Sequence, residues 1–233
     1  MLNHAFDSAI EQNWPPPSAR GCLDFPDSER FAQRRADFLD DVPVMSATVL
    51  GLDMLLQEPC IDLRMASELV LSDVGATIQI LRLIGREYDF AAEYPRRMEE
   101  CIASLDARVW FSAISARTFV CDREHSATTA IWKHSRLIAQ YAQLVAESLE
   151  AISPDDAYLV GLLHEIGSIS TLLGWPNNGP CATVSDPLLA LESSLPQFVR
   201  SAVRSAKDSR PSSTWRSILV AAHELAGEKY TNY

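Results

Sequence analysis

The sequence has little of what marks secreted, membrane-spanning or zinc-stabilised proteins. No apolar run approaches the ~18 residues that a membrane-spanning helix requires. The first residues lack both a basic start and an apolar stretch, so we expect no secretory signal. The cysteines are odd in number and include no C-x-x-C pair, which argues against a disulfide framework and a structural zinc site. These absences predict a cytoplasmic protein that does not enter a membrane.

Lysine is also scarce, since only Lys133, Lys207 and Lys229 occur among the 20 basic residues. With 31 acidic residues, the formal net charge is −11. Sequence-independent binding of nucleic acid relies on neutralising phosphates with basic side chains, so we expect no nucleic-acid partner. Hydrophobic residues make up 47% and charged residues 22% of the 233 positions, which is typical of a globular protein with one large or two small domains.

The common catalytic signatures are missing as well. The chain has no glycine-rich phosphate loop, no G-x-S-x-G nucleophile elbow, no H-E-x-x-H zinc helix and no calcium-binding loop. The residues alone therefore identify no catalytic group.

Apolar residues at helical spacing fill most of the chain after Pro43, and no sustained alternation of apolar and polar residues indicates a strand. Asp62, Asp73 and Ser153 are predicted helix caps, because their short polar side chains accept bonds from free backbone N–H groups. The spacing predicts an all-α protein with helices over 45–56, 61–71, 74–86, 96–105, 106–120, 127–149, 154–166, 186–193, 195–206 and 213–228, and one or two further turns over 168–175.

Residues 1–41 have the character of a leader that precedes the folded domain. Pro15, Pro16 and Pro17 favour an extended stretch. One helix is predicted within the leader, from about Asp27 to Asp41.

Two histidines stand out on the predicted helices. His134 continues a stripe with Ile131 and Ile138, and His164 shares a helix face with Val160. Counted from the predicted turn between their helices, the two rings differ by roughly 7 Å in axial position, so only crossed helices would bring them together. Two interpretations stay open: a metal or phosphate site that includes Glu165, or two core histidines satisfied by hydrogen bonds.

The segment ISPDDAYLVGLLHEIGSI resembles the central motif of the HDOD domain, the HD-related output domain of bacterial signalling proteins. The similarity extends from about Val42 to Gly227, and its most specific part is GLLHEIG. The resemblance implies an all-α, HDOD-like multi-helix domain over 42–230. It would have an N-terminal helical lobe, 42–120, and a degenerate HD-like C-terminal lobe, 121–230.

Departures from the wider HD superfamily concern its metal ligands. Catalytic members hold metal through a His, a His-Asp pair and a final Asp. His134 and His164 match the first two histidines, whereas Glu165 replaces the paired Asp and His223 falls at or near the final Asp. The resemblance therefore implies a degraded metal site, no catalytic residues and no cofactor.

The favoured function is a non-catalytic regulatory module that binds a signalling protein or a small ligand, with a homodimer as an open alternative. The alternative function is a metal-dependent phosphohydrolase acting on a nucleotide or signalling nucleotide. A divalent metal ion would then be held by His134, His164, Glu165 and His223. A third hypothesis is a receptor that binds phosphate without cleaving it, for which the candidate donors are Arg82, Arg86 and Arg136.

Overall fold

The computed structural model of the protein describes residues 42–88, 95–119, 126–149, 152–173, 187–207 and 213–227. All of them lie in one compact unit, Asp37–Tyr233. The predicted leader and its helix lie outside the described residues and stay predictions. Within the described ranges, no helix is both long enough and apolar enough to cross a membrane.

The described part of the chain is predominantly helical, which confirms the predicted all-α class. Its strands are β1 (Val44–Met45) and β2 (Thr118–Phe119). Its helices are α1 (Ser46–Leu56), α2 (Leu63–Leu71), α3 (Val74–Tyr88), α4 (Met98–Ser104), α5 (Ala107–Ser115), α6 (Ser126–Glu147), α7 (Pro154–Leu163), α8 (Ile166–Leu172), α9 (Pro187–Ser194), α10 (Gln197–Lys207) and α11 (Thr214–Leu225).

The helix starts follow the predicted capping pattern. The side chains of Asp62, Asp73 and Ser153 each accept a hydrogen bond from the backbone N–H three residues further on, at 3.0, 3.1 and 3.4 Å. Pro154 begins α7, where the missing N–H of proline costs nothing. These caps fix where α2, α3 and α7 begin.

A short parallel strand pair was absent from the sequence prediction. Val44 pairs with Thr118 and Met45 with Phe119. The helix predicted over 106–120 is therefore wrong at its C-terminal end, since α5 stops at Ser115 and the chain turns into β2. A two-residue strand is too short to show a periodic pattern of apolar residues.

The buried apolar residues of the described ranges form two hydrophobic clusters. The larger cluster contains residues from both predicted lobes, among them Ile80 from α3 and Leu162 from α7. The smaller cluster lies among α6, α7, α10 and α11 and includes Ile138 and Leu219. The apolar stripes of the helices thus meet in a core that extends across the predicted lobe boundary.

Helices α6 and α7 approach one another closely at Gly161. A Cβ atom built on Gly161 would lie 2.7 Å from the Cα of Ala139, closer than real Cβ contacts allow. This backbone contact sets the register of the two helices that position His134 and His164.

Candidate functional site

Three histidines from three separate segments meet in the interior. His134 lies on α6 and is half-buried, His164 directly follows α7, and His223 lies near the end of α11. The exposed fraction is 9% for His164 and 4% for His223. The ring centroid of His134 lies 5.3 Å from the ring centroid of His164 and 5.3 Å from that of His223. The centroids of His164 and His223 are 5.1 Å apart. We call these three residues the histidine cluster.

The observed register explains why the predicted axial offset was too large. Ala139 of α6 lies opposite Gly161 of the antiparallel helix α7. His134 is five residues before Ala139, so the position opposite it is five residues after Gly161, at 166. His164 lies only two residues from that position. Two residues correspond to ~3 Å along a helix. The ~7 Å expected from the sequence results from counting both rings from the predicted turn between the helices. The chain also breaks between α7 and α8, so the predicted continuous helix over 154–166 is wrong at its end.

The orientation of the His164 ring is fixed by its own helix. Its Nδ1 lies 2.6 Å from the carbonyl oxygen of Gly161. A carbonyl oxygen only accepts, so Nδ1 carries the hydrogen and donates it. In the neutral ring, Nε2 then has the lone pair, which is the form that ligates a metal.

Glu165 lies beside the histidine cluster without being part of it. Its Oε1 is 3.5 Å from Nε2 of His164, and its other oxygen accepts a short hydrogen bond from the Ser168 hydroxyl. One nitrogen from each histidine lies within 4.8 Å of the others, and no carboxylate joins that group among the described residues. The site is therefore rich in nitrogen ligands.

The three arginines proposed as phosphate donors lie on two helices. Arg82 is half-buried and Arg86 exposed, both on α3, whereas Arg136 is exposed on α6. Arg136 follows His134 by two positions, so the two side chains leave α6 about 200° apart. That separation puts Arg136 on a different face from the histidine cluster, and phosphate binding by the three arginines stays a prediction.

Arg136 lines a cavity of about 470 Å³ that opens to solvent, together with Arg96, Arg97 and Tyr158. Burial raises the pKa of Tyr158, and the nearby positive charge of Arg136 opposes that shift. The Tyr158 hydroxyl donates to the carbonyl of Leu71 at 3.1 Å. The cavity therefore combines several guanidinium groups and a neutral phenol with carboxylates, namely those of Glu68, Glu99 and Asp155.

Sequence reasoning missed two groups that shape the site. The Gly161 carbonyl sets the His164 tautomer, but a backbone oxygen leaves no trace in the sequence. Ser168 follows Glu165 by three positions, the spacing at which helical side chains meet, so its contact was available from spacing alone.

The fold and the site together define an all-α domain with a buried histidine cluster at the meeting point of α6, α7 and α11. Residues 107–183 match the HDOD domain family. The match confirms the resemblance inferred from the sequence. It includes His134, His164 and Glu165, whereas His223 lies beyond the matched residues.

Solved structures with the same fold include two crystal structures of the MmoQ response regulator from Methylococcus capsulatus strain Bath. One, of a fragment, is 19% identical, with a TM-score of 0.58, and the alignment covers 81% of this chain and 87% of the other. The second is also 19% identical, with a TM-score of 0.60 and coverage of 80% and 88%. At this identity the likeness shows the fold. No curated protein sequence matches the chain significantly.

Proposed function

We propose that the protein is a regulatory signal-transduction domain that acts by binding a partner protein or a small ligand, without catalysis. The observation that carries the proposal is the identity of two residues, one in the histidine cluster and one beside it. The metal-binding HD proteins that the sequence resembles place aspartates at two positions where this chain has Glu165 and His223. The HDOD match over residues 107–183 supports the same function. The name "response regulator" carried by the two MmoQ structures agrees with it.

For the small-ligand form of the proposal, the cavity beside Arg136 is the best candidate. Arg96, Arg97 and Arg136 line it, and no histidine of the cluster does. Guanidinium groups pair well with phosphate and carboxylate. Arg97 is paired with Asp155 at 3.5 Å, and the charge of Arg96 acts on the carboxylate of Asp156, so Arg136 is the principal donor for an anionic ligand.

The experiment measures turnover and ligand binding on the same preparation. We expect no hydrolysis of bis(p-nitrophenyl) phosphate in the presence of Mn²⁺, Mg²⁺ or Zn²⁺. We expect at least one nucleotide in a thermal-shift screen to raise Tm, and Arg136→Ala to remove that rise. Arg108→Ala, which removes an exposed arginine of α5 outside the cavity, is the control and should keep it. Metal-dependent turnover that His164→Ala abolishes would contradict the non-catalytic proposal.

A second candidate function is the metal-dependent phosphohydrolase, which the convergence of three imidazole nitrogens favours. The donor set fits a divalent metal, because His164 presents the lone pair of Nε2 and His134 and His223 supply two further nitrogens. When bound, such a metal lowers the pKa of a coordinated water to near 7. In this chain His164 is oriented by Gly161, and Ser168 holds the Glu165 carboxylate beside it.

Glu165 separates the two candidate functions. The phosphohydrolase requires this carboxylate at the metal or as a base, so Glu165→Gln should remove turnover while the fold is kept. In the regulatory domain the same substitution should leave partner or ligand binding unchanged. Circular dichroism of the variant checks that its fold is retained.

A further inference from the structure

The histidine cluster brings three potential metal ligands to one place in the interior. His164 and His223 are nearly excluded from solvent, and the neighbouring core is apolar. The three ring centroids lie 5.1 to 5.3 Å from one another. Imidazole nitrogens that converge in this way are suited to holding one shared cation.

The contact between His164 and Glu165 points to such a cation. Nε2 of His164 lies 3.5 Å from Oε1 of Glu165. The Glu165 carboxylate thus places a negative charge beside the three nitrogens, which favours a cation there. This observation concerns the pair alone and is independent of the convergence of the three rings.

The spacing of the nitrogens matches a single small ion. One nitrogen from each ring lies within 4.8 Å of the other two. Two nitrogens bound to one tetrahedral Zn²⁺ at ~2.1 Å are about 3.4 Å apart, so small side-chain rotations would close the set.

The chemical class of the ion follows from the ligand atoms. Imidazole nitrogen suits Zn²⁺, Ni²⁺, Cu²⁺ and Co²⁺, whereas Mg²⁺ and Ca²⁺ require oxygen ligands. The replacement of a carboxylate by His223 thus changes the preference of the site, from ions that accept oxygen to ions that prefer nitrogen.

We propose that His134, His164 and His223 bind one divalent transition metal of the zinc class, and that this metal has a structural role. The three ligands come from α6, the end of α7 and α11, so the ion joins α11 to the two helices that it packs against. The proposal goes beyond the regulatory function above and requires no hydrolysis.

The test uses the full chain, stripped with a chelator and then titrated with one metal at a time. Co²⁺ should bind in a one-to-one ratio and give the visible absorption of a four-coordinate site with three nitrogen ligands. Zn²⁺ at a hundredfold excess over its Kd should raise Tm by roughly 5–10 °C, and Mg²⁺ should not. His134→Ala, which removes the least buried ligand, should lower Co²⁺ affinity at least tenfold.

Two further variants keep the result interpretable. His125→Ala removes an imidazole that is not one of the three ligands and should bind Co²⁺ like the wild type. His223→Asp returns a carboxylate to the site and should increase the affinity for Mn²⁺ relative to Zn²⁺. Circular dichroism establishes that each variant is folded before titration.

The proposal is overturned if Co²⁺ gives no tetrahedral absorption, or if Zn²⁺ raises Tm equally in the wild type and His134→Ala. It is also overturned if Mg²⁺ or Mn²⁺ binds more tightly than Zn²⁺, a result that would favour the phosphohydrolase. The metal titration and the nucleotide thermal-shift screen measure different sites. If no metal binds, the effect of nucleotides on Tm still tests the regulatory function, so the two proposals can fail separately.

Discussion

Asp73 is a buried carboxylate that accepts hydrogen bonds from several parts of the chain. Its Oδ2 accepts from the backbone N–H of Met45 at 2.8 Å. Its Oδ1 accepts from the N–H of Ala76 and from the indole N–H of Trp132, each at 3.1 Å. One side chain therefore links β1, the start of α3 and the long helix α6.

The ionisation of Asp73 has a defined effect on stability. Burial raises its pKa above the ordinary 3.8, although the N–H donors oppose the shift. The folded state therefore binds the proton more tightly than the unfolded chain. Protonation of Asp73 therefore stabilises the folded protein. This stabilisation is fully present below the ordinary pKa and is lost as the pH rises through the raised pKa.

We predict that Asp73→Asn destabilises the protein by about 1–3 kcal/mol at pH 7, because the new amide NH₂ meets an N–H donor. The free-energy difference between wild type and variant should be larger at pH 4, close to the ordinary pKa of 3.8, than at pH 7, since only the wild type gains from protonation. Urea unfolding at the two pH values measures both quantities. Asp53→Asn, at a carboxylate that accepts a hydrogen bond from the Gln57 side chain, is the control, and an identical pH dependence in both variants would contradict the prediction.

At the scale of the elements, the contact between α6 and α7 depends on the absence of a side chain at Gly161. A Cβ there would lie 2.7 Å from the Cα and 3.0 Å from the nitrogen of Ala139. Both neighbours are backbone atoms, so neither can rotate away. The two helices must separate or shift if any side chain is introduced.

We predict that Gly161→Ala lowers the free energy of unfolding by about 1–3 kcal/mol, because overpacking outweighs the gain in helix propensity. Gly51→Ala is the matched control. Its Cβ would approach the flexible side chain of Leu69 at 3.1 Å, and we expect a change near zero or slightly stabilising. Thermal unfolding of both variants measures the difference, and a Gly161 variant as stable as the Gly51 variant would refute the backbone contact.

The helices themselves were largely predictable from the sequence, and the reasons are local. Capping residues such as Asp62 and Ser153 and the helical spacing of apolar residues act within a few positions, so α2 and α7 begin within two residues of the prediction. The pairing of β1 with β2 joins segments more than 70 residues apart and carries no local pattern. Such a contact depends on how the helices between the two strands pack.

The histidine cluster was predictable as a set of residues and not as a geometry. The GLLHEIG motif identified His164, and the resemblance aligned His134 and His223 with it. Their distances depend on the register at Gly161 and on the break after Leu163, which the prediction had placed too late. An error of a few residues in a turn changes a predicted separation by several ångströms.

At the scale of the whole molecule, the two predicted lobes share an interior. The larger hydrophobic cluster contains Ile80 from the N-terminal part and Leu162 from the C-terminal part. The smaller cluster, which includes Leu219, lies among helices of the C-terminal part alone. Helix α7 contributes to both clusters through Leu162 and Val160, so it connects them mechanically.

We therefore predict that the domain unfolds in one cooperative transition, whichever cluster is weakened. Ile80→Ala in the larger cluster and Leu219→Ala in the smaller one each remove a fully buried side chain and should cost about 2–5 kcal/mol. In both variants, far-ultraviolet circular dichroism and tryptophan fluorescence should report the same urea midpoint, because a shared core does not allow one part to unfold alone. An early second transition in Leu219→Ala would instead show that α11 and its cluster unfold independently. The histidine cluster would then lie at the boundary between two separately stable parts.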